Sequence, residues 1–445
     1  MSLALSSDAL RDVALSALER AKRGGADQAE AEATQGNGLN VTVRLGELET
    51  LEHNVDKGLG VTVYVQGRKG NASTGDFSAQ AVNAAVDKAL TIAKFTSPDP
   101  FAGLADADVM ASLPLPDLDL YHPWALDATQ AIEIAKRCED AGFAVDERID
   151  NSEGASVSVS ESEFVYANSH GFCGGYMGSA HYIGCAMVAS EGEEMERDDW
   201  YTSHRVPGAL ESAESVGRKA GERAVARLGA RQIPTQNAPV ILTPQLAAGF
   251  IGHAISALFG GSLYRKTSFL LDSMGKPMFT SLLNIVDDPF VKQAYASSPF
   301  DGEGVACQRR AIVENGVVRG YFLSAYSARK LGMKSTGNAG GNHNLLISPT
   351  IKGDTATLAK QMGRGLIVTE LMGQGVNPVT GDYSRGAAGF WVEGGEIAYP
   401  VGEITIAGNL IDLYQRIVAI GDDIDRRGSK LVGSMLIESM QIAGS

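Results

Sequence analysis

Apolar residues recur at helical spacing at Leu10, Val13, Ala14, Ala17, Leu18 and Ala21, with Ser7 before them and Gly24-Gly25 after. A capping serine, one apolar stripe and a glycine stop predict an amphipathic helix. The period then changes to two over 39–45 and 60–65, the alternation of half-buried strands. A short strand at 71–74 and a helix over 78–95, with Val82, Val86, Leu90 and Ala93 on one face, complete a small α/β layer over 1–96. Pro98, Pro100, Pro114 and Pro116 mark 97–117 as a proline-rich linker. Over 118–234 the pattern gives a helix at 127–141, short strands from 143 to 205, and a closing helix carrying Leu210, Val216, Ala220, Ala224 and Leu228. This is an α+β middle domain.

From 235 to 445 strand patterns dominate. They read as a strand at 239–244, a helix at 245–259, a loop at 260–268, strands at 365–371 and 403–406, and a hairpin at 391–397. A helix over 410–420 and final strands over 431–442 follow. Between 300 and 323, Glu314-Asn315-Gly316 separates Ile312-Val313 from Val317-Val318. Asn-Gly between β-branched residues is a strong hairpin signal, because both residues tolerate positive φ. The expected class is α+β, with a β-rich C-terminal domain containing few helices.

Composition supports a globular chain: 44% hydrophobic and 20% charged residues leave no reason to expect disorder. A formal net charge of −15 argues against nucleic acid as a partner. Cys138, Cys173, Cys185 and Cys307 have no CxxC spacing and read as buried reduced thiols. No apolar run reaches the length of a membrane helix, and the N-terminal residues lack the basic and apolar regions of a signal peptide, so the cytoplasm is the expected compartment.

The candidate chemistry is sparse. No HExxH occurs, and His253 shares a helix face with Leu246 and Phe250, which suits packing better than metal binding. His170 and His181 lie near Cys173 and Cys185 without the tight ligand pairs of a structural zinc site. Ser327 and Lys330 match SxxK spacing, but the companion motifs are missing and Lys330 reads as a solvated charge. Asp287, Asp288, Asp301 and Glu303 allow a carboxylate pair or cation site, and turn formation before proline and glycine explains them as well. The run 337–341 could present backbone N–H groups to an anion or a peptide carboxylate.

Four stretches go further: Asp287-Asp-Pro289, Phe300-Asp-Gly-Glu-Gly304, 335–341, and the run from Thr369-Glu-Leu-Met-Gly-Gln-Gly through Asp382-Tyr-Ser-Arg385 to Glu393. Through them the chain resembles the TldD/PmbA family, and its PmbA (TldE) branch in particular. The resemblance covers essentially the whole chain. It implies a cytoplasmic zinc metallopeptidase system of two homologous subunits acting on small or unfolded peptides. It also implies that the TldD-like subunit holds zinc through HExxxH and a late cysteine. Aligned on Lys266-Thr-Ser268, this chain has Ile251 and Ser256 in place of the two histidines and Gly252 in place of the glutamate, and no cysteine follows Cys307. The expectation is therefore a subunit with no metal or catalytic residues of its own, paired with a TldD-like partner and homodimeric in isolation. Its peptide-binding candidates, chosen by motif match, are Gly337, Asn338, Gly340, Gly341, Asn377, Asp382 and Arg385. The competing expectation is a non-enzymatic, homodimeric peptide- or protein-binding regulator.

Overall fold

The structure, a computed structural model of the chain, describes residues 3–444. Its first half contains α1 (Ser7–Arg23), β1 (Gln28–Arg44), β2 (Glu47–Val65), β3 (Arg68–Thr74), α2 (Ala79–Phe95), α3 (Ala128–Phe143), β4 (Ile149–Asn168), β5 (Cys173–Glu191), β6 (Glu194–His204) and α4 (Ala213–Ala226). The strands form one antiparallel sheet in the order β3-β2-β1-β4-β5-β6. β1 pairs with β4 from Glu30↔Asn168 to Val43↔Ala155, so strands from both sides of the linker share this sheet.

Strand alternation explains how one face serves four helices. Ala29, Ala31 and Ala33 of β1 pack in the core that also holds Leu10 of α1 and Val86 of α2. Leu39, Val41 and Val43, on the same face of β1, pack with Ala135 of α3 and Val216 of α4. Between these apolar patches the face is polar and buried: Gln35 donates to Glu163 at 2.9 Å, and the Tyr121 hydroxyl donates to Glu161 at 2.9 Å. The strands are much longer than their hydropathy predicts. Alanines such as Ala29, Ala31 and Ala33 and buried polar residues such as Gln35, Glu161 and Glu163 fill many of their inward positions, and these carry little apolar signal. The expected chain of short strands over 143–205 is instead the end of α3 and three long strands.

The second half contains β7 (Gln236–Leu242), α5 (Pro244–Ala257), α6 (Gly260–Tyr264), β8 (Ile285–Asp288), β9 (Arg310–Glu314), β10 (Val317–Val318), α7 (Ala325–Leu331) and β11 (Asn344–Ile347). It continues with α8 (Thr355–Met362), β12 (Gly365–Met372), β13 (Asp382–Glu393), β14 (Glu396–Asn409), α9 (Leu410–Gln415), β15 (Ile417–Ile420), β16 (Lys430–Leu431) and β17 (Met435–Ala443). One sheet runs β14-β13-β12-β7-β17-β15, and pairing of β14 with β17 closes it into a barrel. A smaller sheet runs β10-β9-β8-β11-β16. The whole is an α+β fold.

Pro239 sits within β7, where its missing N–H would break a ladder. The register of β17 against β7 slips between Ile437 and Met440 and passes over it. The predicted hairpin at Asn315-Gly316 forms with φ of 48° and 77°, the positive values its turn requires. The predicted helix over 410–420 ends at Gln415. The β-branched run that follows pairs with β17 instead, because Ile417 and Ile420 bury on that sheet. The loop expected at 260–268 opens with the short helix α6. Among the described residues no helix is long and apolar enough to cross a membrane.

Candidate functional site

Residues 298–306 and 335–343 come together between the sheet of the first half and the barrel of the second, pinned by two buried carboxylates. Asp301, 4% exposed, accepts backbone N–H bonds from Glu303 and Val305 at 2.9 Å each, and from Ala339 at 2.9 Å across to the second loop. Burial pushes its carboxyl up, and these backbone donors pull it back. Asp287, fully buried on β8, accepts from the His343 N–H at 2.7 Å and from Asn338 Nδ2 at 2.9 Å. Asn338 Oδ1 in turn accepts from Arg310 at 2.7 Å and from the Thr336 hydroxyl at 2.9 Å.

The same two aspartates were candidates for a cation site. With their oxygens committed to backbone and amide donors they act as loop clamps, and no group of three or more His, Cys, Asp or Glu set to hold a metal exists among the described residues. His181 is buried, with Nε2 at 2.8 Å from the His122 carbonyl, and it joins no metal cluster with Cys173 and Cys185.

Cys307, His343 and Asp287 form a line that dispersed sequence positions did not suggest. The Cys307 Sγ lies 3.2 Å from His343 Nε2, and His343 Nδ1 lies 3.1 Å from Asp287 Oδ2. The spacing is that of nucleophile, base and orienting acid. The thiol, however, is 6% exposed and burial pushes its pKa up, which keeps it protonated. The trio therefore ties β8 to the 335–343 loop. Ser327 is likewise committed elsewhere: its hydroxyl belongs to the capping box of α7 with Ser324. Lys330 lies 3.7 Å from Asp99 rather than on Ser327, which removes the SxxK reading.

The seven sequence-chosen peptide-binding residues fall in two places. Asn338, Gly340 and Gly341 line a cleft of about 360 Å³ with Phe259, Gly260 and Phe322, and Gly340 and Gly341 also border a second cleft of about 300 Å³ beside His343. Gly337 supports that loop from beneath, its Cα facing the Ala306 carbonyl. Asn377 and Asp382 belong to a separate turn. Asn377 Oδ1 accepts from Val379 N–H at 2.9 Å, and Asp382 is held below the usual carboxylate range by the Thr380 hydroxyl and the Asn409 amide. Arg385 on β13 donates to the carbonyls of Leu371 and Met372. No hydrogen bond joins the two groups among the described residues.

Arg385 instead belongs with α5. His253 stacks edge-on to Tyr383 at 6.0 Å, and burial together with the charges of Arg385 and Lys430 holds its imidazole below the ordinary range. Burial also lowers Lys430. A side chain added at Gly252 would start 3.2 Å from Lys430 Cε. This face thus gathers cationic groups, while Ile251 is fully buried and Ser256 points to solvent. Such a donor set does not fit a zinc ion, which needs neutral or anionic ligands and repels fixed cations.

Comparison with known proteins agrees along the whole chain. Residues 29–93, 121–228 and 235–444 match, in turn, domain 1, the central domain and the C-terminal domain of PmbA/TldA metallopeptidases. The protein named metalloprotease PmbA from Escherichia coli O157:H7 is 48% identical over 98% of this chain and 96% of its own length. The metalloprotease PmbA homolog of Haemophilus influenzae is 47% identical over the same shares. Among solved structures, a candidate modulator of DNA gyrase from Bacteroides thetaiotaomicron superposes with a TM-score of 0.94 at 28% identity, covering 99% of this chain and 100% of the other. TldE from Thermococcus kodakarensis superposes at 0.82 with 21% identity, covering 96% and 99%, a likeness of fold. The chain belongs to the PmbA/TldD family.

Proposed function

We propose that this chain is the metal-free subunit of a cytoplasmic zinc peptidase system and works with a TldD-like homologue that carries the zinc. The observation that carries the reading is the face of α5. Ile251, Gly252 and Ser256 stand where the resemblance puts zinc ligands and general base, and Arg385 and Lys430 bring positive charge to the same place. A relative named metalloprotease TldD homolog, from Buchnera aphidicola, is 26% identical over 45% of this chain, which supports a second, related type of subunit.

In this reading small or unfolded peptides bind as extended strands. Main-chain hydrogen bonds supply affinity without sequence demands. The clefts beside Gly340 and Gly341 provide room, and Arg385 and Lys430 provide charge for an anionic peptide group such as the terminal carboxylate. Without its partner the chain pairs with a second copy.

The test is zinc content and hydrolysis of an unfolded peptide, measured on the purified chain alone and after mixing with a TldD-like homologue. The expected result is no stoichiometric zinc and no hydrolysis alone, with hydrolysis on mixing. Zinc and activity in the isolated chain would overturn the reading, and no complex with the homologue would leave a non-enzymatic regulator as the better account.

A further inference from the structure

Next to the 360 Å³ cleft, and sharing Tyr326 with it, lies a larger cavity of about 700 Å³, within the range of small-molecule sites. Three parts of the chain build it: the sheet of the first half, the linker stretch 96–103, and the loop and helix around Glu303 and α7. Its lining is bipolar. Glu30, Glu303, Asp99, Tyr64 and Tyr326 face it together with Lys69 and Lys330, and Asp99 accepts from the Tyr326 hydroxyl at 2.7 Å.

The two glutamates are unequally satisfied. Glu30 accepts from the Tyr64 hydroxyl at 3.2 Å and the Tyr166 hydroxyl at 2.9 Å. Glu303 accepts one backbone N–H, from Ala325, at 2.8 Å on Oε2. No donor from the chain reaches its other oxygen among the described residues. Burial above all, with the charges of Asp301 and Glu30, pushes the Glu303 carboxyl up to about 7. An ionised carboxylate in such a place is costly until a cation joins it.

The lysines stand ready with the opposite charge. Lys330 lies over the Phe101 ring at 4.3 Å and the Tyr326 ring at 5.3 Å, with Asp99 no closer than 3.7 Å. Lys69 makes no contact ion pair among the described residues and lies within electrostatic reach of Glu32. A metal ion is a poor occupant, since two lysines share the cavity and no three-ligand group is present among the described residues.

We propose that this cavity binds a zwitterionic peptide of two or three residues, with its ammonium between Glu30 and Glu303 and its carboxylate toward Lys69 and Lys330. An ammonium brings three donors, one for the Glu303 oxygen that lacks a partner and others for the remaining lone pairs of both carboxylates, and the tyrosine rings and linker prolines pack its short side chains. The proposal shares the peptide class of the preceding reading and does not depend on a second subunit, so either can fail without the other.

Calorimetric titration of the full chain at pH 8 with dialanine, Nα-acetyl-dialanine and dialanine amide tests it. Dialanine binds in the expected outcome, and acetylation weakens binding at least about tenfold, the loss that follows removal of a charge-assisted partner. Glu303→Gln, with folding checked by circular dichroism, weakens dialanine by a similar factor. Lys330→Met removes the preference for free acid over amide. Equal affinity for the acetylated peptide, no heat at about 10 mM dialanine, or undiminished binding by Glu303→Gln overturns the proposal. Heat from magnesium chloride that disappears in Glu303→Gln would assign the cavity to a metal instead.

Discussion

Glu303 shows how much a single residue's chemistry depends on what the fold puts around it. In sequence it is a turn carboxylate beside Asp301. In the structure, burial and the charges of Asp301 and Glu30 move its carboxyl from an ordinary 4.5 to about 7. Between these values the folded chain holds a proton that the unfolded chain has lost. A raised folded pKa gives stability that is complete below the unfolded value and is lost as pH rises through the folded one. The loss amounts to about 3 kcal/mol for this group. Glu303→Gln keeps the shape and removes the titration. Urea melts of both proteins at pH 4.5 and pH 8 are expected to show the variant gaining on the parent as pH rises, and to be the more stable at pH 8. A constant difference across that window would mean that the ionised carboxylate is stabilised by something other than the groups around it here. The Cys307, His343 and Asp287 line was hidden for a related reason: its members are far apart in sequence, and only β8 and the 335–343 loop bring them to contact.

Elements were legible where local chemistry decides them. The turn at Asn315-Gly316 follows from positive φ and forms as its residues imply, while the first helix is capped by Ser6, one residue before the Ser7 that its sequence suggests. Strand lengths were not legible, because alanines and the buried polar residues Gln35, Glu161 and Glu163 take inward positions while carrying little apolar signal. The end of α9 was missed because tertiary pairing of 417–420 with β17 outweighs helical spacing. The loop 335–341 was legible as turn chemistry, and its geometry supports a sharp prediction at Gly337. That residue has φ of 69°, and a Cβ there would lie 2.7 Å from the Ala306 carbonyl oxygen. Gly337→Ala therefore strains the backbone and pushes a carbonyl that cannot yield cheaply, at a cost of about 1–3 kcal/mol. A lowered urea midpoint with an unchanged m-value is the expected measurement. Gly340→Ala, at φ of 102° with nothing within 4 Å of the added carbon, is expected to cost less, since only the backbone term remains.

At the scale of the whole molecule, the question is what couples the long sheet to the barrel half, since both the clefts and the large cavity lie along that junction. Hydropathy could not show how they meet, because the joining residues sit on the sheet face that alternation marks as outward. Phe164, Phe172 and Tyr176 from that side surround Phe300 from the other, with ring centroids 6.1, 5.2 and 5.7 Å away. Phe300 is 1% exposed, and Asp301 beside it clamps the 335–343 loop. Truncation to alanine removes a buried ring from a packed junction, at a cost of about 3–5 kcal/mol. Because the ring bridges two separately cored halves, the loss falls on their coupling more than on either core. Phe300→Ala is therefore expected to divide a single calorimetric transition into two, and to speed proteolytic cleavage within 97–117. A lowered but still single transition, with the linker cut no faster, would mean that the halves unfold as one body and that other contacts along the junction carry the coupling.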